Sequence, residues 1–117
     1  MKTPPVESIQ TIDMAIASSI VFADVTGCDW ASIQLDLFED AVASTYAVVV
    51  SNNKEKWYAA KYWPADPATG TPLSITISGE GITRMIPVTD VKYIGVQAPT
   101  SSGGGTYKVT IRAVSAN

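Results

Sequence analysis

At 117 residues, with 46% apolar and only 16% charged side chains, the chain is long enough for one hydrophobic core and too apolar for a disordered segment. A formal net charge of −3 weighs against a general nucleic-acid binder, which needs a basic surface to neutralise phosphates. So low a charged fraction suits a surface that is partly covered by a partner.

Lys2-Thr3-Pro4-Pro5 opens the chain, and consecutive prolines cannot enter a regular ladder. Ile12, Met14 and Ile16 then alternate with Asp13 and Ala15 as a short strand. Residues 1–18 therefore read as an N-terminal arm with a first strand, and residues 19–117 as the main domain. Pro4, Pro5, Val6, Ile9 and Ile12 have no place in the main alternation, so the arm is expected to contact another subunit and to be dispensable for folding. Pro4, Pro5, Glu7 and Asp13 also interrupt the basic-then-apolar layout of a secretory leader, and no apolar run approaches the roughly 20 residues of a membrane span. Synthesis in the cytoplasm, with no membrane partner, is the expectation.

Ser19 to Asp24 reads as a strand, and Val25-Thr26-Gly27-Cys28-Asp29 as a turn. Trp30 to Phe38 is the clearest half-buried strand: Ile33, Leu35 and Leu37 alternate with Ser32, Gln34 and Asp36. Ser44 to Trp63 reads as a hairpin. Its apolar arm carries Tyr46, Val48 and Val50, its turn is Ser51-Asn52-Asn53-Lys54-Glu55, and an aromatic strand runs from Lys56 to Trp63. Pro64 to Pro72 is a stiff loop; Ile75 and Ile77, then Ile82 to Val88, Val91 to Gln97 and Thr106 to Val114 supply further strands, with Gly103-Gly104-Gly105 as a flexible linker. About eight strands with turn signals roughly every 8–12 residues predict an all-β antiparallel sandwich, jelly-roll or immunoglobulin-like, preceded by an extended arm. Ile33, Leu35, Leu37, Val48, Val50, Ile75, Ile77, Val109 and Ile111 are its expected core.

Charge divides along the chain. Up to Asn53 there are seven acids against Lys2, a sum of −6; from Lys54 onward seven bases and four acids give +3. In a sandwich the two halves interleave, so this split does not imply two charged faces.

Few residues invite chemistry. With no histidine, neither a Ser–His–Asp triad nor a His-containing metal site can form, and the one cysteine, Cys28, has no base to activate it. Asp36, Glu39 and Asp40 cluster at a strand end, but their spacing matches no calcium loop, and a solvated loop is the plainer reading. Trp57 and Tyr58, with Tyr62 and Trp63, could stack on sugar rings; alternation pairs Trp57 with Trp63 and Tyr58 with Tyr62, one pair inward, and aromatics on strands more often fill cores. No catalytic residue, cofactor or metal is expected, and the chain reads as non-enzymatic. The proline loop loses little entropy on docking, which makes Trp63, Pro64, Pro67 and Pro72 candidate subunit or capsid contacts beside Pro4, Pro5, Val6, Ile9 and Ile12.

Over the last three quarters of the chain a further order appears. Val48-Val49-Val50-Ser51-Asn52-Asn53 runs into Trp57; Gly81-Ile82-Thr83-Arg84, Val91-Lys92-Tyr93-Ile94 and Tyr107-Lys108-Val109-Thr110-Ile111 follow. This order resembles a β-sandwich module of tailed-bacteriophage virion proteins, with Asn53-Lys54-Glu55 in place of the module's usual Asp-Gly turn. The resemblance implies a capsid decoration (cement) protein on the outer surface of the head. Its partners would be the major capsid protein and further copies of itself in a trimer, with no nucleic acid. Tail, neck or fibre components and carbohydrate-binding modules share such sandwiches and are the alternatives.

Overall fold

The computed structural model describes residues 4–13, 19–38, 45–61, 74–83, 85–98 and 106–115. Within them the strands are β1 (Val6–Asp13), β2 (Ile20–Asp24), β3 (Trp30–Phe38), β4 (Thr45–Ser51), β5 (Tyr58–Ala59), β6 (Thr76–Ser78), β7 (Gly81–Ile82), β8 (Ile86–Pro87), β9 (Tyr93–Gln97) and β10 (Thr106–Val114). They form two antiparallel sheets. The first runs β1-β10-β3-β7, with β8 also on β3; the second runs β2-β9-β4-β5, with β6 also on β4. The all-β sandwich expected from the alternation is the observed fold.

β3 and β10 match their expected limits, because strict apolar–polar alternation leaves one register that buries every apolar side chain. Ile33, Leu35, Val109 and Ile111 point inward from the first sheet, and Val48, Ile75, Ile77, Ile94 and Val96 from the second, all buried. Val50 is half-buried against this core, and the side chain of Leu37 lies outside the described set. Tyr46 and Tyr107 meet between the sheets with ring centroids 4.6 Å apart. Burial, reinforced by the neighbouring Tyr107 hydroxyl, pushes the Tyr46 phenol well above its usual range. Cys28 is buried too, and desolvation raises its thiol, so it packs as a small apolar group.

Three expectations are corrected. The first strand begins at Val6, not Ile12, and its eight residues pair with β10 from Val6↔Ala113 to Asp13↔Thr106. Residues 6–13 of the arm thus form a strand at the edge of the described first sheet, and deleting residues 1–11 would strip β10 of most of its partner. Met14 and Ile16 lie outside the described residues.

Of the aromatic strand expected from Lys56 to Trp63, the described part up to Lys61 holds only β5 at Tyr58–Ala59, after which Lys61 bridges Ser74. The cause is competition for one edge of β4. Val48 N donates to Ile75 O at 3.0 Å and Ala60 N to Val48 O at 2.8 Å, so β5 and β6 divide that edge between them.

The strand expected from Ile82 to Val88 is broken into β7 and β8. Gln34 pairs with Ile82 but Ala31 with Ile86, so three steps along β3 match four on its partner. That is a bulge. Thr83 holds its near side: its N–H donates to Ile33 O at 2.9 Å, and its Oγ1 accepts from Ile33 N at 3.0 Å.

Candidate functional site

Each sheet turns one face inward, so any site lies on an outer face or at a rim. The outer face of the second sheet is built around Gly95, which faces Phe22 on β2 and Val49 on β4. Phe22 lies over the gap that glycine leaves; a Cβ at Gly95 would meet the Val21 carbonyl oxygen and come within 2.9 Å of the Phe22 Cβ. Trp57 packs on Phe22 at 5.4 Å between centroids, and Tyr93 meets it edge-on at 5.7 Å. Val49 is only 4% exposed as a result, although it belongs to the outer face and not to the core.

The β4–β5 turn closes this cluster. Ser51 is buried, and its Oγ accepts from Lys54 N at 3.0 Å and Asn53 N at 3.2 Å; Asn53 Oδ1 accepts from Glu55 N at 2.9 Å and Lys56 N at 3.1 Å. Asn52 Oδ1 accepts from Lys92 N at 2.8 Å and ties the turn to the start of β9. Lys54 takes the left-handed position with φ 64°, a conformation that glycine adopts more readily than other residues. This places its Nζ 4.9 Å from the Tyr93 ring centroid and 5.5 Å from that of Phe22. A shallow cavity of about 200 Å³ lies beside the turn, between Asn52, Asn53, Lys56, Tyr58 and Val91. Its asparagine amides already serve the backbone, so it reads as a by-product of the turn.

Trp57 therefore sits half-buried on the outer face and Tyr58 stands exposed, while Tyr62 and Trp63 lie outside the described residues. Neither described aromatic joins the core, which corrects the inward half of that expectation. The local reason is the turn: it folds Trp57 back over Phe22 before β5 begins.

The outer face of the first sheet is different. Cross-strand rows run Thr11–Lys108–Asp36, Ile9–Thr110–Gln34–Ile82, Glu7–Arg112–Ser32 and Val114–Trp30–Pro87. Its charges are matched: Glu7 Oε2 lies 3.5 Å from Arg112 Nε, and Asp36 stands opposite Lys108 while accepting from Gln34 Nε2 at 3.1 Å. Around them large apolar side chains are uncovered: Ile82 65%, Ile9 57% and Trp30 41% exposed; Met85, between β7 and β8, is exposed as well. This face is the candidate interaction surface.

Of the expected contacts, Pro4 and Pro5 are exposed, Val6 is half-buried against the core, and Ile9 stands out on this face. Ile12 pairs with Tyr107 through the backbone. Trp63, Pro64, Pro67, Pro72, Glu39, Asp40 and the glycines at 103–105 lie outside the described residues. Sequence reasoning missed Trp30, Ile82 and Met85. For Trp30 the signal was present, since it shares the phase of Ser32, Gln34 and Asp36 and so belongs to the polar face of its strand. Among the described residues no group of three or more Cys, Asp or Glu could hold a metal ion.

No protein-family model matches the chain, and no curated protein sequence matches it. Among solved structures, the SPBc2 prophage-derived protein YomS aligns with 97% of this chain and 96% of its own, at a TM-score of 0.63 and 10% sequence identity. The two share a fold. A structure from Bacillus endospore appendages, a family of disulfide-linked pili, aligns with 99% of this chain and 92% of its own at 16% identity, but its TM-score of 0.37 carries no argument.

Proposed function

We propose that this chain is a non-enzymatic structural protein of a tailed-phage virion, bound to the outer surface of the head as a decoration protein. The observation that carries the proposal is the outer face of the β1-β10-β3 sheet, which exposes Trp30, Ile82 and Ile9 around side chains whose charges are already matched. Large exposed apolar residues on a rigid, nearly neutral face suit a protein–protein contact, because little charge must be desolvated on docking. Likeness of fold to a prophage-derived protein along nearly the whole chain supports the phage setting. In this reading the partner is the major capsid protein. The sandwich acts mechanically, bridging neighbouring capsid subunits with a surface that does not rearrange.

Copy number per virion tests the assignment. Quantitative mass spectrometry of purified particles should find hundreds of copies, removed together with the outer layer of the head. A handful of copies that stay with isolated tails would overturn decoration in favour of a tail or neck component.

A further inference from the structure

The two strands that lie together at one side of the sandwich, β1 and β2, are treated differently at their outer edges. On β2 the Phe22 carbonyl is capped by Gln10 Nε2, which donates to it at 2.7 Å. β1 is hydrogen-bonded to β10 on one side, and among the described residues its other side has no strand. It runs eight residues with no bulge in its register, no internal proline and no lysine or arginine. Those are the devices by which edges are normally protected from pairing. Among the described residues the remaining edge pieces, β5 to β8, are only two or three residues long.

We infer that β1 is a self-pairing edge: two copies of this chain join antiparallel, β1 to β1, across a two-fold axis at Ile9, making one continuous sheet. Such a join must set outward residues opposite outward residues, so only every second register is allowed. With Ile9 on the axis, Glu7 faces Thr11 of the second copy and Val6 faces Ile12, a ladder over residues 6–12. Sliding by two residues in one direction sets Glu7 against Asp13, a like-charge pair; sliding in the other shortens the ladder and carries Pro5 into it. In the favoured register Pro5 stands just beyond the last pair, where its missing N–H does no harm.

The outer face supports the same register. Its central row would read Ile82–Gln34–Thr110–Ile9, then Ile9–Thr110–Gln34–Ile82 of the second copy, covering the exposed isoleucine with its own counterpart. The neighbouring row would read Asp36–Lys108–Thr11 and then Glu7–Arg112 of the second copy, with acid and base alternating through the join. No like charges meet. The contact is isologous, so it closes at two copies and, among the described residues, leaves no free edge of this length. It differs from the trimer expected from resemblance, and it rests on edge geometry, not on the virion assignment; either can fail without the other.

The test is sedimentation equilibrium of the free protein, combined with cysteine cross-linking. The unaltered chain should dimerise. Ile9→Lys places two cations on the axis and should weaken association roughly tenfold or more while leaving the melting temperature of the monomer unchanged, since Ile9 is outside the core. Under mild oxidation Ile9→Cys should form a covalent dimer, because directly opposed Cβ atoms lie about 4.5–5.5 Å apart. Glu7→Cys should not, being four residues, or about 13 Å, out of step with its own counterpart; Cys28 is buried and does not compete. A monomer at all concentrations, a dimer indifferent to Ile9→Lys, or cross-linking of Glu7→Cys as fast as Ile9→Cys would each overturn the pairing.

Discussion

The outer faces of the two sheets differ in who covers them. On the β2-β9-β4 sheet, Phe22, Trp57 and Tyr93 lie over Gly95 and Val49, and Lys54 sits above two of the rings. On the β1-β10-β3 sheet nothing comparable among the described residues folds over Ile9, Trp30 and Ile82. Among the described residues one face is finished by its own chain, and the other keeps its large apolar side chains exposed. The difference teaches that an aromatic on an outer face is not by itself a binding signal. Trp57 and Trp30 are both tryptophans beside polar residues, yet Trp57 packs on Phe22 and Trp30 is the more exposed of the two.

Five substitutions would sharpen or break this contrast. The largest effect belongs to the core that both sheets share: Leu35→Ala should cost about 2–5 kcal/mol in a urea titration, because the side chain is fully buried and leaves a cavity. A smaller loss would mean that the inner faces are not packed as described. Next comes the covered face. Gly95→Ala should cost about 2–3 kcal/mol, since the new methyl meets the Val21 backbone oxygen, which cannot swing away as a side-chain tip can. If alanine is tolerated there, Phe22 is not held over a gap and the cover is looser than drawn. Trp57→Ala should cost about 1–2 kcal/mol by uncovering Phe22, with a matching rise in Phe22 ring mobility by NMR. Smallest is the bare face: Trp30→Ser and Ile82→Ser should each change stability by less than about 0.5 kcal/mol. On the proposed function both should lower occupancy on phage heads, measured by gel densitometry of washed particles. A stability loss as large as that of Trp57→Ala would show that the bare face is bare in name only.

Much of this was legible in the residues. β3 and β10 could be drawn almost to the residue, because period-two alternation over nine positions is hard to satisfy in any other way. The inner-face set was legible for the same reason: Ile33, Leu35, Val48, Ile75, Ile77, Val109 and Ile111 all proved buried. β1 was misjudged because its edge position sets alternation against itself. Val6, Ser8 and Gln10 share the inner face, yet Ile9 points outward, so apolar content marks neither face.

By itself the sequence determined the fold class, the central strands and the apolar interior, since all three follow from local periodicity and the free energy of burying aliphatic side chains. Only the tertiary structure decided the pairings. It divided one edge of β4 between β5 and β6, and it inserted a bulge beside Thr83. It also set acids of the first half of the chain against bases of the second, Glu7 beside Arg112 and Asp36 opposite Lys108. The charge split along the chain therefore became neutrality across a face. Those choices depend on which strands meet, and strands far apart in sequence meet according to the packing of the whole core, which no local pattern encodes.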